Sequence, residues 1–190
     1  MAMRLLRAST AFGSLACVAA CGLSGATLRA PAAVDSGASL AGRLTVQSGC
    51  EETFVARDPK STAVLAVQVP GILERSRGAG LPYREKLRLG GHEVVVRLEQ
   101  GADLDHWCTD VMARPPRIEA TWAGVSGTAT VELVARSTGS SSGAGGARTA
   151  PTSAVVRLRR VILAREGRPD ETLTLPGLEI RANLGVPGGG

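Results

Sequence analysis

The stretch 103–110 gathers the side chains best able to do chemistry: Asp103, Asp105, His106, Trp107, Cys108 and Asp110. Two carboxylates two residues apart on an extended loop can point the same way, and Asp110 can join Asp103 and Asp105 around Ca²⁺, which takes roughly six to eight oxygens. The oxygen count is short and the full calcium-loop spacing is missing. The plainer expectation is that these aspartates make Asx turns, with calcium as the one cofactor the sequence suggests. Trp107, Asp105 and His106 form the candidate ligand-binding set, because an indole offers a flat apolar face with a polar edge on which a sugar ring can stack. Trp122 lies in the apolar phase of its segment and reads as core.

His92 and His106 are the only histidines. Imidazole titrates near neutral pH, so either could act as an acid–base group, with Ser126 or Thr109 completing a hydrolytic triad. There is no GxSxG elbow and no HExxH pair, the spacings that place a nucleophile on a strained turn or two imidazoles on one helix face. His92 falls in phase with the valines that follow it, as a structural histidine would. No catalytic residue is nominated, and the chain is read as non-enzymatic. Arg157, Arg159 and Arg160 could meet lipid or lipopolysaccharide phosphates; a solvated basic strand face is the simpler reading.

The elements that must position these groups are strands. Period two marks a strand with one buried face. Leu44 and Val46 alternate with Thr45 and Gln47, and Val94, Val96 and Leu98 alternate with Glu93, Arg97 and Glu99. The segment 62–69 is apolar on both faces and should be covered on both. Ile118, Ala120 and Trp122 precede Ala129, Val131 and Leu133 across the glycine-rich 124–127, which reads as a hairpin. The segment 153–164 is the longest strand, with a phase slip at Arg159–Arg160 that predicts a bulge. Leu173 and Leu175, then Leu178 and Ile180, read as two short strands about Pro176–Gly177. Helix signals are confined to a turn or two at 70–79. The expected fold is all-β: an antiparallel β-sandwich of about seven to nine strands, with a small β-barrel as alternative.

The N-terminus carries Arg4 and Arg7, an apolar run over 8–18, and Val18-Ala19-Ala20-Cys21. This arrangement resembles the signal peptide and lipobox of bacterial lipoproteins, in which the cysteine becomes the acylated first residue. The apolar run is too short to span a bilayer, which takes about 20 residues. The resemblance implies a signal peptide over 1–20, lipidation of Cys21 and attachment to a membrane through the acyl anchor. Gly22 after the cysteine, by the sorting rule of enteric bacteria, implies the outer membrane. Cleavage near Ala30 would instead leave a soluble secreted or periplasmic protein. Either route removes Cys17 and removes or acylates Cys21, leaving Cys50 and Cys108 in an oxidising compartment, where one intradomain disulfide is expected. A zinc site has little support without CxxC spacing.

The organisation that follows is a tether over 21–41, rich in Gly, Ala and Ser, a β-domain over 42–184 with a Ser/Gly-rich loop at 137–149, and a disordered tail at 185–190. Removing Arg4 and Arg7 with the leader lowers the net charge from +5 to +3, too little to argue for nucleic acid. The expected function is a non-enzymatic, lipid-anchored envelope protein that binds or supports another envelope protein. The alternatives are a carbohydrate- or peptidoglycan-binding module, calcium-dependent if the three aspartates converge, and a hydrolase.

Overall fold

The computed structural model describes residues 36–109, 114–135 and 151–184. Cys21, Asp110, most of the expected tether, the Ser/Gly-rich loop and the tail lie outside them. The chain enters through α1 (Gly37–Arg43), capped by Ser36, and continues into β1 (Val46–Cys50), β2 (Thr53–Arg57) and β3 (Ala63–Gln68). After α2 (Ile72–Ala79) come β4 (Tyr83–Arg88), β5 (Val95–Ala102), β6 (Arg117–Val134), β7 (Ser153–Arg165) and β8 (Arg168–Asn183). The folded region therefore starts earlier than the tether boundary at residue 41 implies. Leu40 gives α1 an apolar anchor that is fully buried, and Gly37 lets the helix lie against the Thr174 carbonyl.

All eight strands are antiparallel and share one open sheet in the order β1-β2-β3-β5-β6-β7-β8, with β4 also paired to β6. The all-β antiparallel fold and the Cys50–Cys108 disulfide are as expected. Inward residues from β2 to β8 meet in one core that includes Phe54, Leu65, Leu98, Leu133, Leu158 and Ile180. β3 is buried along nearly its whole length: Leu65 and Val67 enter this core, while Val64 joins a second cluster on the opposite face with Val55 and Leu104.

Two expected reversals do not occur. The glycines at 124 and 127 do not close a hairpin; β6 runs through them for 18 residues. It pairs with β5 along its first half, with β4 along its second, and with β7 along its other edge. The glycines are needed for close approach. A Cβ on Gly124 would lie 2.9 Å from the Val96 Cβ, and Gly127, at φ +129°, sits against the Arg160 carbonyl. Pro176–Gly177 is likewise not a turn, because β8 continues through it. Arg159 pairs with Gly177 and Val161 with Leu175, so the phase slips of β7 and β8 occur at one level. Arg160 and Val161 lie opposite the single residue Gly127 of β6, and Arg160 takes φ +50°. The bulge expected in β7 is thus part of a crease that crosses β6, β7 and β8, because an extra residue bends a strand and raises its twist.

The crease brings β8 back towards β1 without a backbone ladder between them. Gln47 of β1 spans the gap with its side chain: Nε2 donates to the Glu179 carbonyl at 2.8 Å, and Oε1 accepts from the Arg181 N–H at 2.9 Å. One amide side chain therefore satisfies both kinds of edge group that an unpaired strand exposes.

Candidate functional site

The loop that follows β5 holds the sequence-nominated residues, and the strand itself holds the group that organises them. Glu99 pairs with Val64 of β3 and Thr121 of β6, which places its side chain on the face opposite the main core. It is only 3% exposed. Asp103 turns the chain at φ +58°, the Leu104 N–H donates to the Ser61 carbonyl at 3.0 Å, and Leu104 drops onto Val55 and Val64. The loop then lies over β2, β3 and β5 and is tied to the end of β1 by the Cys50–Cys108 disulfide.

Three groups converge on the Glu99 carboxylate. Trp107 Nε1 donates to Oε2 at 3.1 Å, His106 Nε2 is 3.2 Å from the same oxygen, and Arg97 Nε is 3.1 Å from Oε1. A carboxylate this buried must be paired, since an isolated charge in an apolar setting costs several kcal/mol. The rings of His106 and Trp107 are 5.4 Å apart at 39°. The Nδ1 of His106 is buried without a hydrogen-bond partner among the described residues.

This arrangement separates the candidate ligand set. Trp107 and His106 turn inward to Glu99, whereas Asp105 is exposed to solvent. The Trp107 ring packs on the Val55, Val64 and Leu104 cluster, so its apolar face is largely committed. Asp103 faces Arg117, with oxygen and nitrogen 3.8 Å apart. Among the described residues no group of three His, Cys, Asp or Glu side chains is placed to hold a metal ion. Of the weak calcium candidates, Asp103 lies beside Arg117, Asp105 is exposed, and Asp110 lies outside the described residues.

His92 differs from the sequence expectation. It is exposed in the turn before β5, because the inward phase of that strand begins at Val94, which is 2% exposed. His92 and His106 therefore flank opposite ends of β5. A Glu99–His106 pair can orient an imidazole as the acid of a triad does, but the imidazole nitrogen that remains is enclosed.

The arginines of β7 also divide. Arg157 donates through Nε to Glu179 at 2.8 Å and through Nη1 to Glu132 at 2.9 Å, one carboxylate on each neighbouring strand. These hydrogen bonds raise its pKa, and those from Arg157 and Arg181 hold the Glu179 carboxyl below its ordinary range. Arg159 and Arg160 are both exposed at the crease. Trp122 is core as expected, 6% exposed, with its Nε1 bonded to Gln100 and the Arg165 guanidinium 5.8 Å from its ring centre.

Sequence reasoning missed Glu99, which it placed among the outward residues of its strand. The only available signal was the apolar Leu104 and Trp107 downstream, because the cover over Glu99 comes from a loop rather than a neighbouring strand. No known family model matches this chain, and neither the curated proteins nor the solved structures searched contain a match.

Proposed function

We propose that this chain is a non-enzymatic, lipid-anchored protein of the bacterial cell envelope, most consistent with the outer membrane, whose β-domain binds or supports another envelope component. The observation that carries this reading is the Cys50–Cys108 disulfide. It fits a compartment that oxidises thiols, and it agrees with the export and acylation implied by Val18-Ala19-Ala20-Cys21. In the binding role the disulfide-tied loop is a structural cap, with Glu99 spent on holding His106 and Trp107. The glycan reading finds less support because Trp107 is turned inward, and the hydrolase reading because the His106 nitrogens offer no open site.

Fractionation of cells expressing the full chain tests the anchor. After a high-salt wash the wild type is expected in the membrane fraction, and Cys21→Ala in the soluble extracytoplasmic fraction with the Cys50–Cys108 bond intact. Retention of Cys21→Ala on membranes at high salt, or recovery of the wild type from the cytoplasm with free thiols, would refute the reading.

A further inference from the structure

We propose that the outward face of β4, β6, β7 and β8 is a docking surface for an anionic phospholipid bilayer. The register aligns three rows of side chains across these strands. Arg88, Thr128, Arg159 and Gly177 form one row; Lys86, Thr130, Arg157 and Glu179 the next; Arg84, Glu132, Val155 and Arg181 the third. Paired residues in an antiparallel sheet project to the same side, so these rows make one continuous face. Arg160 adds a further exposed cation at the crease.

The face carries seven cations and two carboxylates, an excess of five positive charges. The remaining described residues carry ten cations and thirteen carboxylates, an excess of three negative charges. The modest net charge of the chain therefore conceals a strong separation of sign, and a charged surface attracts its opposite through the local field rather than the net total. Both carboxylates on the face are occupied by Arg157, and Glu179 also by Arg181. No ion pair from the described residues reaches Arg84, Lys86, Arg88, Arg159 or Arg160. Lys86, Arg88 and Arg159 have threonine or glycine across from them, and Arg84 lies across from Glu132, whose carboxylate is held by Arg157.

The chemistry of the face selects its partner. It has no aromatic side chain on which bases could stack, which single-stranded nucleic acid binding uses. The three outward cations of β4 lie on a strand paired on one edge only, and charge on an edge strand opposes strand addition by another protein. Headgroup phosphates ask only for spaced cations on a broad surface. The inference goes beyond the acyl anchor and does not rest on it, although one acyl chain with a polybasic patch would supply the two signals that stable membrane attachment needs.

The test uses the full chain carrying Cys21→Ala, so that no acyl group contributes, and co-sedimentation with vesicles. Vesicles of equimolar phosphatidylglycerol and phosphatidylcholine are expected to bind at least about tenfold more strongly than phosphatidylcholine alone, with the difference removed by high salt. Arg84→Glu/Arg88→Glu/Arg159→Glu should lower the anionic binding by roughly tenfold or more. Lys60→Glu/Arg77→Glu/Arg114→Glu, the same change in net charge made at exposed positions off the face, should lower it by less than about threefold. Circular dichroism and unfolding midpoints confirm that both variants are folded. Equal losses in the two variants, equal binding to both vesicles, or full displacement by a soluble acidic polysaccharide at matched charge would each overturn the proposal. The fractionation of Cys21→Ala in cells is a separate readout, so failure of one reading is distinguishable from failure of the other.

Discussion

Glu99→Ala removes the group that holds the 103–109 loop to the sheet. The carboxylate is 3% exposed and has Trp107 Nε1 at 3.1 Å and His106 Nε2 at 3.2 Å. A hydrogen bond to a charged group contributes about 1.5–3 kcal/mol, and the enclosed Trp107 bond falls in that range. The partly exposed His106, an ion-pair partner when its imidazole is protonated, adds up to about 1 kcal/mol. Arg97 is 42% exposed, so solvent screens its ion pair to about 0–1 kcal/mol. The expected loss is about 2–5 kcal/mol, overlapping the range of about 3–5 kcal/mol found when one partner of a buried pair is removed. Glu99→Gln keeps the volume and one acceptor oxygen and should lose about 1–2 kcal/mol. Urea unfolding with the disulfide intact measures both variants, and tryptophan emission reports whether Trp107 has moved into water. If Glu99→Ala unfolds within about 0.5 kcal/mol of the parent with unchanged emission, Glu99 is not what seats the loop, and the disulfide and Leu104 alone suffice.

Further outcomes follow from other parts of the sheet. Cys50→Ser/Cys108→Ser opens a loop spanning 58 residues and should cost about 4 kcal/mol in urea unfolding; a loss under about 1 kcal/mol would mean that the denatured chain is already restricted there. Burial opposes ionisation of Asp58, but hydrogen bonds from the Thr62 hydroxyl and the Ala63 and Thr62 N–H groups, with the Arg43 charge, hold its carboxyl below its ordinary value of 3.8. Its contribution is therefore complete above pH 3.8 and lost as pH falls through the lower folded value. The stability gap between the wild type and Asp58→Asn should close on acidification, and a gap independent of pH would contradict the assignment. In α1, a Cβ on Gly37 would sit 1.8 Å from the Thr174 carbonyl oxygen, whereas one on Gly42 meets nothing within 4 Å. Gly37→Ala should lose about 2–4 kcal/mol by displacing Leu40, while Gly42→Ala should gain about 0.5–1 kcal/mol through helix propensity; equal effects on thermal unfolding would exclude the contact.

The strands were legible because period two survives in Val94 to Leu98, in Ala129 to Leu133 and on both sides of the β7 slip, and burying one face of a pleated strand requires it. The double cover of β3 was legible for the same reason: its apolar residues have no polar alternation to interrupt them. The reversals were misread at 124–127 and 176–177 because glycine and proline mark departures from regular pleating, and local sequence does not distinguish a turn from a bent strand. What decides is the partner. Gly127 faces the extra residue of β7, and Pro176–Gly177 matches that slip in β8, neither visible within a short window.

Sequence alone determined the composition of the strands, the identity of the cysteine pair to be joined, and the likeness of the first residues to an acylated leader, because each depends on neighbours or on counting. The tertiary structure decided that His106 and Trp107 serve a buried Glu99 rather than an open pocket, since the loop over that carboxylate returns to strands distant in sequence. It also decided where the charge lies. Arg84, Lys86 and Arg88 are separated from Arg157, Arg159 and Arg181 by about seventy residues or more, and only the pairing of β4, β6, β7 and β8 sets them in adjacent rows. A net charge is a sum over the chain, whereas the field a partner meets depends on register.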